Sequence, residues 1–300
     1  MAQKLDADDT PKAVQKLNLM HEREHVVIAY GQELGYQHGA KFQILSAWKR
    51  WYSQPGINVC VVTDKPNLFE GYPVRTIRIT EQNWRDWSLN GLQHFGIKLR
   101  ALEQSMRTTD APVSMLLDTD TYWIRNPESL ARVIRDGRAV MFCDEGAVKG
   151  TRNTSIDRFN EGLANQSVAW GDLNYQLSSQ SRMLNSSIVG LHKKNIEILV
   201  EAFRLFKVLE PLVNAHTVEQ FALAETLRVN KIEVKFGSAH TRDWSSIGRK
   251  NYATPILKQF FEEHGENDFE KHLENLDSIV IRRPLKTLLK QKLARFRGLN

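Results

Sequence analysis

Asp118 and Asp120 stand one residue apart at the end of the apolar run Val113-Ser114-Met115-Leu116-Leu117. Carboxylates at that spacing suit a hard divalent cation, which takes oxygen ligands and in turn holds phosphate oxygens. Most Asp-x-Asp pairs only cap turns or lie in solvent, but the preceding run changes the weighting. Unbroken apolar stretches of this length read as interior strands of a parallel sheet, and such sheets bind ligands beyond the carboxyl ends of their strands. A second run, Val59-Cys60-Val61-Val62-Thr63-Asp64, also ends in an acid, and a third strand at 138–142 ends at Cys143-Asp144-Glu145. Lys98, near the start of a helix, is either a phosphate contact or a solvated lysine. Glu219, in the first turn of another, either favours the positive helix terminus or serves as a base.

The elements that must position these groups follow an α/β order. The first strand is 26–31, including Ala29 and Tyr30, and its polar exit at 31–39 would receive a nucleotide base. Phe42, Leu45, Trp48 and Trp51 have helical spacing up to Pro55-Gly56. Residues 74–79 alternate like a strand exposed on one side. Trp84 and Trp87 follow in a polar stretch, either to stack on an acceptor or to cover a helix end. Leu99, Leu102 and Met106 share a helical face. Asn126, Pro127 and Gly137 punctuate a short helix. Residues 146–182, rich in Gly, Asn, Ser and Gln, predict a long functional loop framing an acceptor. A strand at 183–191 starts near Asn185, Thr217 and Gln220 have capping-box spacing, and 232–236 is the last strand. Thr254-Pro255 opens a helix that ends before Gly265.

The chain has 300 residues and a net charge of +6, enough for one large domain with an appendage. Residues 281–300 hold seven basic side chains and no acidic ones, so the other 280 carry 34 basic and 35 acidic. Basic character confined to the tail argues against a nucleic-acid-binding body and points to a local contact. After Pro284, Leu285, Leu288, Leu289, Leu293 and Phe296 share one helical face, which predicts a basic amphipathic helix at 282–300. It would lie either on an anionic membrane surface or against the body of the protein. No apolar stretch approaches a membrane span, and the acidic N-terminus is unlike a signal peptide. Cys60 and Cys143 both read as buried strand thiols in a reducing compartment. The expected location is cytoplasmic, with peripheral contact on the inner membrane face.

The chain resembles the GT-A fold glycosyltransferases, in particular bacterial sugar-nucleotide enzymes with a DxD motif, over residues 25–265. The resemblance rests on 26–31, Val61-Val62-Thr63-Asp64, His94-Phe95-Gly96-Ile97-Lys98, Leu116-Leu117-Asp118-Thr119-Asp120, Leu184-Asn185-Ser186-Ser187-Ile188-Val189-Gly190 and Val218-Glu219-Gln220. It departs from the family at Ser187, where many members have glycine after Asn-Ser. The resemblance implies a single Rossmann-like, mixed but mainly parallel sheet flanked by helices. Its nucleotide half would be 25–145 and its acceptor half 146–265, after a polar leader at 1–24 and before a helical extension at 266–300. The implied activity is metal-dependent transfer of a sugar from a nucleoside diphosphate, UDP favoured, to a hydroxyl of a glycan or lipid-linked acceptor. Implied metal ligands for Mn2+ or Mg2+ are Asp118, Asp120 and His240. Implied donor contacts are Ala29, Tyr30, Asp64, Lys98, Asp118, Thr119, Asn185, Arg249 and Lys250. Glu219, or else Glu145 or Asp144, would take the acceptor proton in an inverting enzyme. A sugar nucleotidylyltransferase would need Arg and Lys in a glycine-rich loop after the first strand, and 30–39 has neither. A non-catalytic, membrane-associated nucleotide-sugar-binding module is the other rival.

Overall fold

A computed structural model of the chain describes residues 22–51 and 56–281. In chain order these form β1 (Arg23–Ala29), α1 (Leu34–Trp51), β2 (Ile57–Thr63), β3 (Arg75–Arg78), α2 (Glu81–Trp87), α3 (Gly96–Arg107), β4 (Val113–Leu117) and β5 (Thr121–Trp123). There follow α4 (Glu128–Arg135), β6 (Ala139–Ala147), α5 (Thr154–Leu163), β7 (Val168–Trp170), β8 (Leu173–Tyr175) and β9 (Arg182–His192). The last elements are α6 (Glu197–Leu209), α7 (Val218–Val229), β10 (Val234–Phe236), β11 (Thr241–Asp243), α8 (Ile247–His264) and α9 (Phe269–Asn275).

The main sheet runs β10-β6-β9-β4-β1-β2-β3. Every pairing in it is parallel except those of β9 with β4 and β6. This is the mixed, mainly parallel α/β sheet that the resemblance implies, with the unbroken apolar runs as its interior parallel strands. β1 shows why those runs lack alternation. Val26 and Ile28 join the core beneath α3, α6 and α7, while Val27 and Ala29 join the core beneath α1, α8 and α9. Both faces are covered, so successive residues are all apolar. In register, Ala29 pairs with Thr63 and Val27 with Leu117, which brings Tyr30, Asp64 and Asp118 to one sheet edge. β9 starts at that same edge, where the Asp118 amide donates to the Ser187 carbonyl over 3.0 Å.

Several boundaries differ from the sequence reading. β1 begins at Arg23, inside the segment read as a leader, because Glu24 and His25 are polar yet fully buried. Glu24 is matched there by Arg75 and Ser105. α1 begins at Leu34, so the exit from β1 is only four residues. Residues 146–182 are not one irregular loop: Ile156, Phe159 and Leu163 bury one face of α5, capped by Asn153, and β7 and β8 pair. Thr217 makes no side-chain cap. α8 starts at Ile247 and carries Pro255 inside it. Both cysteines are free, and Cys143 is only half-buried.

The amphipathic tail read at 282–300 and the leader before residue 22 lie outside the described residues. Among those described, no helix is long and apolar enough to cross a membrane. Residues 266–276 pack on α1: Lys41 and His38, both buried, contact the Glu266 carboxylate over 3.1 and 3.2 Å.

Candidate active site

The turn after β4 carries the acid pair and is pinned on three sides. The Asp118 amide bonds β9, the Asp120 carbonyl accepts from the Trp244 amide over 2.9 Å, and the Thr119 carbonyl lies against Gly39 of α1. A Cβ on Gly39 would come within 2.4 Å of that carbonyl oxygen.

Each acid has its own lysine. Lys98, in the first turn of α3, brings Nζ to 2.9 Å from Asp118 Oδ1 and donates to Ser186 Oγ over 2.7 Å. Its third neighbour is Glu219 Oε1, 3.6 Å away and beyond hydrogen-bond reach. Burial alone would lower the Lys98 pKa, but Asp118, Glu219 and Asp120 outweigh it and raise the value to about 12. Lys98 is therefore a fixed cation. Burial raises the Glu219 carboxyl, with Lys98 opposing. Lys250, in the first turn of α8, lies 3.3 Å from Asp120 Oδ2 and over the Tyr36 ring. Burial and then the Asp118 charge push the Asp120 pKa up, with Lys250 and Lys98 pulling the other way.

Two cavities meet across Tyr30 and Gly31. One, of about 460 Å³, is lined by Tyr36, Phe95, Lys98, Asp118, Thr119, Asp120 and Lys250 as well as that pair. The other, of about 550 Å³, is lined by Asp64, Arg78, Thr80 and Trp84. Gly31 has φ 93° and donates its amide to Asp64 Oδ2 over 3.3 Å. The left-handed turn suits glycine. Asp64 Oδ1 is buried without a hydrogen-bond partner, an acceptor short of a donor.

The structure thus brings together Tyr30, Asp64, Lys98, Asp118, Thr119, Asp120 and Lys250. Other expected residues fall elsewhere. His240 does not join the acids. β11 pairs Thr241 with Trp123 and Asp243 with Thr121, which puts His240 at the far end of the ladder from Asp120. There its Nε2 bonds Ser129 Oγ over 2.9 Å. Arg249 turns away to Asp243 over 2.9 Å. Glu219 is only 2 % exposed, behind Lys98, and lines neither cavity. Ala29 is buried in β1. Asn185 and Gln220 both donate to Glu145, over 2.9 and 3.1 Å, beside the acid turn but outside the cavity lining. Ser186, Tyr36 and Arg78 were missed. Ser186 lies inside the quoted Asn185-Ser186-Ser187 string, whereas the other two follow no pattern in sequence.

A divalent cation fits Asp118 and Asp120. Both line the same cavity and offer the hard oxygen donors that Mg2+ and Mn2+ take. Among the described residues no cluster of three or more His, Cys, Asp or Glu stands ready as a complete cage. Mg2+ in phosphate sites commonly uses one or two carboxylates plus phosphate oxygens and waters.

The sequence matches no protein-family model and no curated protein. Among solved structures, the chain is similar to galactosyltransferase LgtC in complex with donor and acceptor sugar analogs, at 11 % identity and TM-score 0.46 over 68 % of this chain and 70 % of that one. It is also similar to mouse xyloside xylosyltransferase 1 in its apo form, at 10 % identity and TM-score 0.46 over 72 % and 84 %. Likeness of this degree assigns no activity, which rests on the chemistry of the site.

Proposed function

We propose that the chain is a glycosyltransferase that moves a sugar from a nucleoside diphosphate to an acceptor hydroxyl, with Mn2+ or Mg2+ held by Asp118 and Asp120. The observation that carries this reading is the pairing of two carboxylates with two lysines in a cavity at the carboxyl ends of parallel strands. UDP is the favoured donor nucleotide. A glycan or lipid-linked hydroxyl is the favoured acceptor, reached from the inner face of the membrane through the basic tail at 282–300. The division into a nucleotide half at 25–145 and an acceptor half at 146–265 belongs to the same reading.

A cation bound to the acid pair would draw off negative charge that gathers on the departing diphosphate. Lys98 adds a permanent positive charge on the cavity wall, held in place by Asp118 and Ser186 rather than reorganised during reaction. The second cavity suits the base: Asp64 Oδ1 can accept an N–H, Arg78 can donate to a ring carbonyl and Trp84 offers an aromatic face. Glu219 serves better as the counter-charge that orients Lys98 than as a base, because it lines neither cavity. Glu145 also lies outside both cavity linings, but unlike the buried Glu219 it is exposed, and so it is the carboxylate open to an acceptor in an inverting transfer. A retaining transfer needs no base there.

The test pairs a thermal-shift screen of nucleotide sugars in Mn2+ or Mg2+ with an assay for nucleotide release, since a bound ligand raises apparent stability. Asp120→Ala should weaken nucleoside diphosphate binding at least tenfold, about 1.4 kcal/mol. Unchanged affinity in that variant, together with no turnover of any UDP- or GDP-sugar, would remove the reading.

A further inference from the structure

We infer that Lys250 holds the place of the divalent cation on Asp120 and gives it up when the ion arrives, moving to the diphosphate. The inference rests on the transferase reading for its second half and on the geometry of the acid turn for its first.

The two lysines of the site are unlike in how they are held. Lys98 has its side chain 12 % exposed and meets Asp118, Ser186 and Glu219 together. Lys250 is 40 % exposed, reaches Asp120 alone at 3.3 Å and otherwise lies 5.9 Å over the Tyr36 ring. It also stands in the first turn of an 18-residue helix with no acidic residue in that turn, where the helix dipole disfavours a cation. What keeps it there is Asp120, whose largely buried carboxylate brings Oδ2 to 3.3 Å from the ammonium. A divalent ion at the same oxygens supplies twice the charge at a comparable distance and so displaces a loosely held ammonium. Lys250 lines both the main cavity and a smaller one of about 130 Å³ between Tyr36, Trp244 and Thr254. The freed side chain therefore stays at the mouth, within the reach of its four-carbon stem of an incoming phosphate.

The experiment measures Mn2+ binding to the full chain without nucleotide, by electron paramagnetic resonance or calorimetry, for wild type, Lys250→Gln, Lys250→Arg and Asp120→Asn. Lys250→Gln should bind Mn2+ three- to tenfold more tightly than wild type, because the ion no longer has to displace an ammonium. Lys250→Arg, which keeps the charge, should stay near wild type, and Asp120→Asn should lose the site. With Mn2+ saturating, Lys250→Gln should bind UDP several-fold more weakly. Mn2+ affinity that is unchanged or lower in Lys250→Gln overturns the inference, as does an absence of Mn2+ binding in all four proteins. Tighter Mn2+ in Lys250→Gln with no binding of any nucleoside diphosphate by wild type would instead sink the transferase reading and leave the competition for Asp120 standing.

Discussion

Lys98 sits where a single substitution has its largest electrostatic effect. Lys98→Met would leave Asp118 and the buried Glu219 facing each other with no cation between them. Breaking a buried pair in this way costs about 3 kcal/mol, the low end of the range because Asp118 keeps access to water. Urea denaturation measures it, and adding Glu219→Gln to Lys98→Met should recover about half. A loss under about 1 kcal/mol would mean that Glu219 already carries its own proton. His25 makes a separate prediction in pH. Its ring is fully buried between Trp51 and Trp123, and burial lowers its pKa from 6.5 to about 3, only partly opposed by the Met115 backbone. A depressed histidine contributes stability that is whole above pH 6.5 and is lost as pH falls towards the folded value. Stability at pH 4.5 should therefore lie about 2–3 kcal/mol below that at pH 7 from this group alone. His25→Leu should flatten the slope; an unchanged slope would assign it to other groups, such as His38 and His272, which are also lowered. Asp118 and Asp64 were legible in sequence because each is the first acid after an apolar run, and Asp120 because it stands two positions beyond Asp118. His240 was misplaced because its position depends on the register of two three-residue strands, too short to show periodicity.

At the scale of elements, the acid turn depends on how closely α1 approaches it. Gly39 is the contact, and Gly39→Ala would set a methyl 2.4 Å from the Thr119 carbonyl oxygen. Helix or turn must shift, at a cost of about 1–3 kcal/mol, and because the turn carries both acids Mn2+ affinity should fall too. Gly248→Ala in α8 is the control: no atom lies within 4 Å of its Cβ, and alanine there should be neutral or stabilise by up to about 1 kcal/mol. Equal effects from the two substitutions, by thermal melts and Mn2+ titration, would show that the contact with the turn is not what matters. β1, β2 and β4 were legible because burial on both faces writes itself into composition. The start of α8 was not. Thr254-Pro255 imitates a helix opening, yet the chain tolerates the proline inside the helix. α5 was hidden by a surrounding composition of Gly, Asn and Ser, though its apolar spacing at 156, 159 and 163 was present.

For the molecule as a whole, the sheet is closed on one face by α3, α6 and α7 and on the other by α4 and by α1, which is backed by α8 and α9. α1 is thus held between the acid turn and the segment after Gly265. That segment grips it through polar groups: Lys41 reaches the Glu266 carboxylate, its carbonyl and Asn267 Oδ1, and His38 reaches the same carboxylate. The Tyr72 hydroxyl meets His272 Nδ1 at 2.6 Å. None of this could be read from sequence, because a lysine and a histidine within an amphipathic pattern look like surface residues until a distant carboxylate covers them. Glu266→Ala would leave Lys41 buried with only neutral acceptors. Glu266 is itself half-exposed, which screens the pair, so the cost should be about 1–2 kcal/mol rather than that of a fully buried pair. Hydrogen exchange should locate the effect, with amides of 266–276 exchanging faster while β1, β2 and β4 keep their protection. If α1 transmits the loss, Mn2+ affinity falls in Glu266→Ala as it does in Gly39→Ala. If it does not, exchange quickens in 266–276 with Mn2+ affinity intact, and α1 is held on the sheet by its apolar face alone.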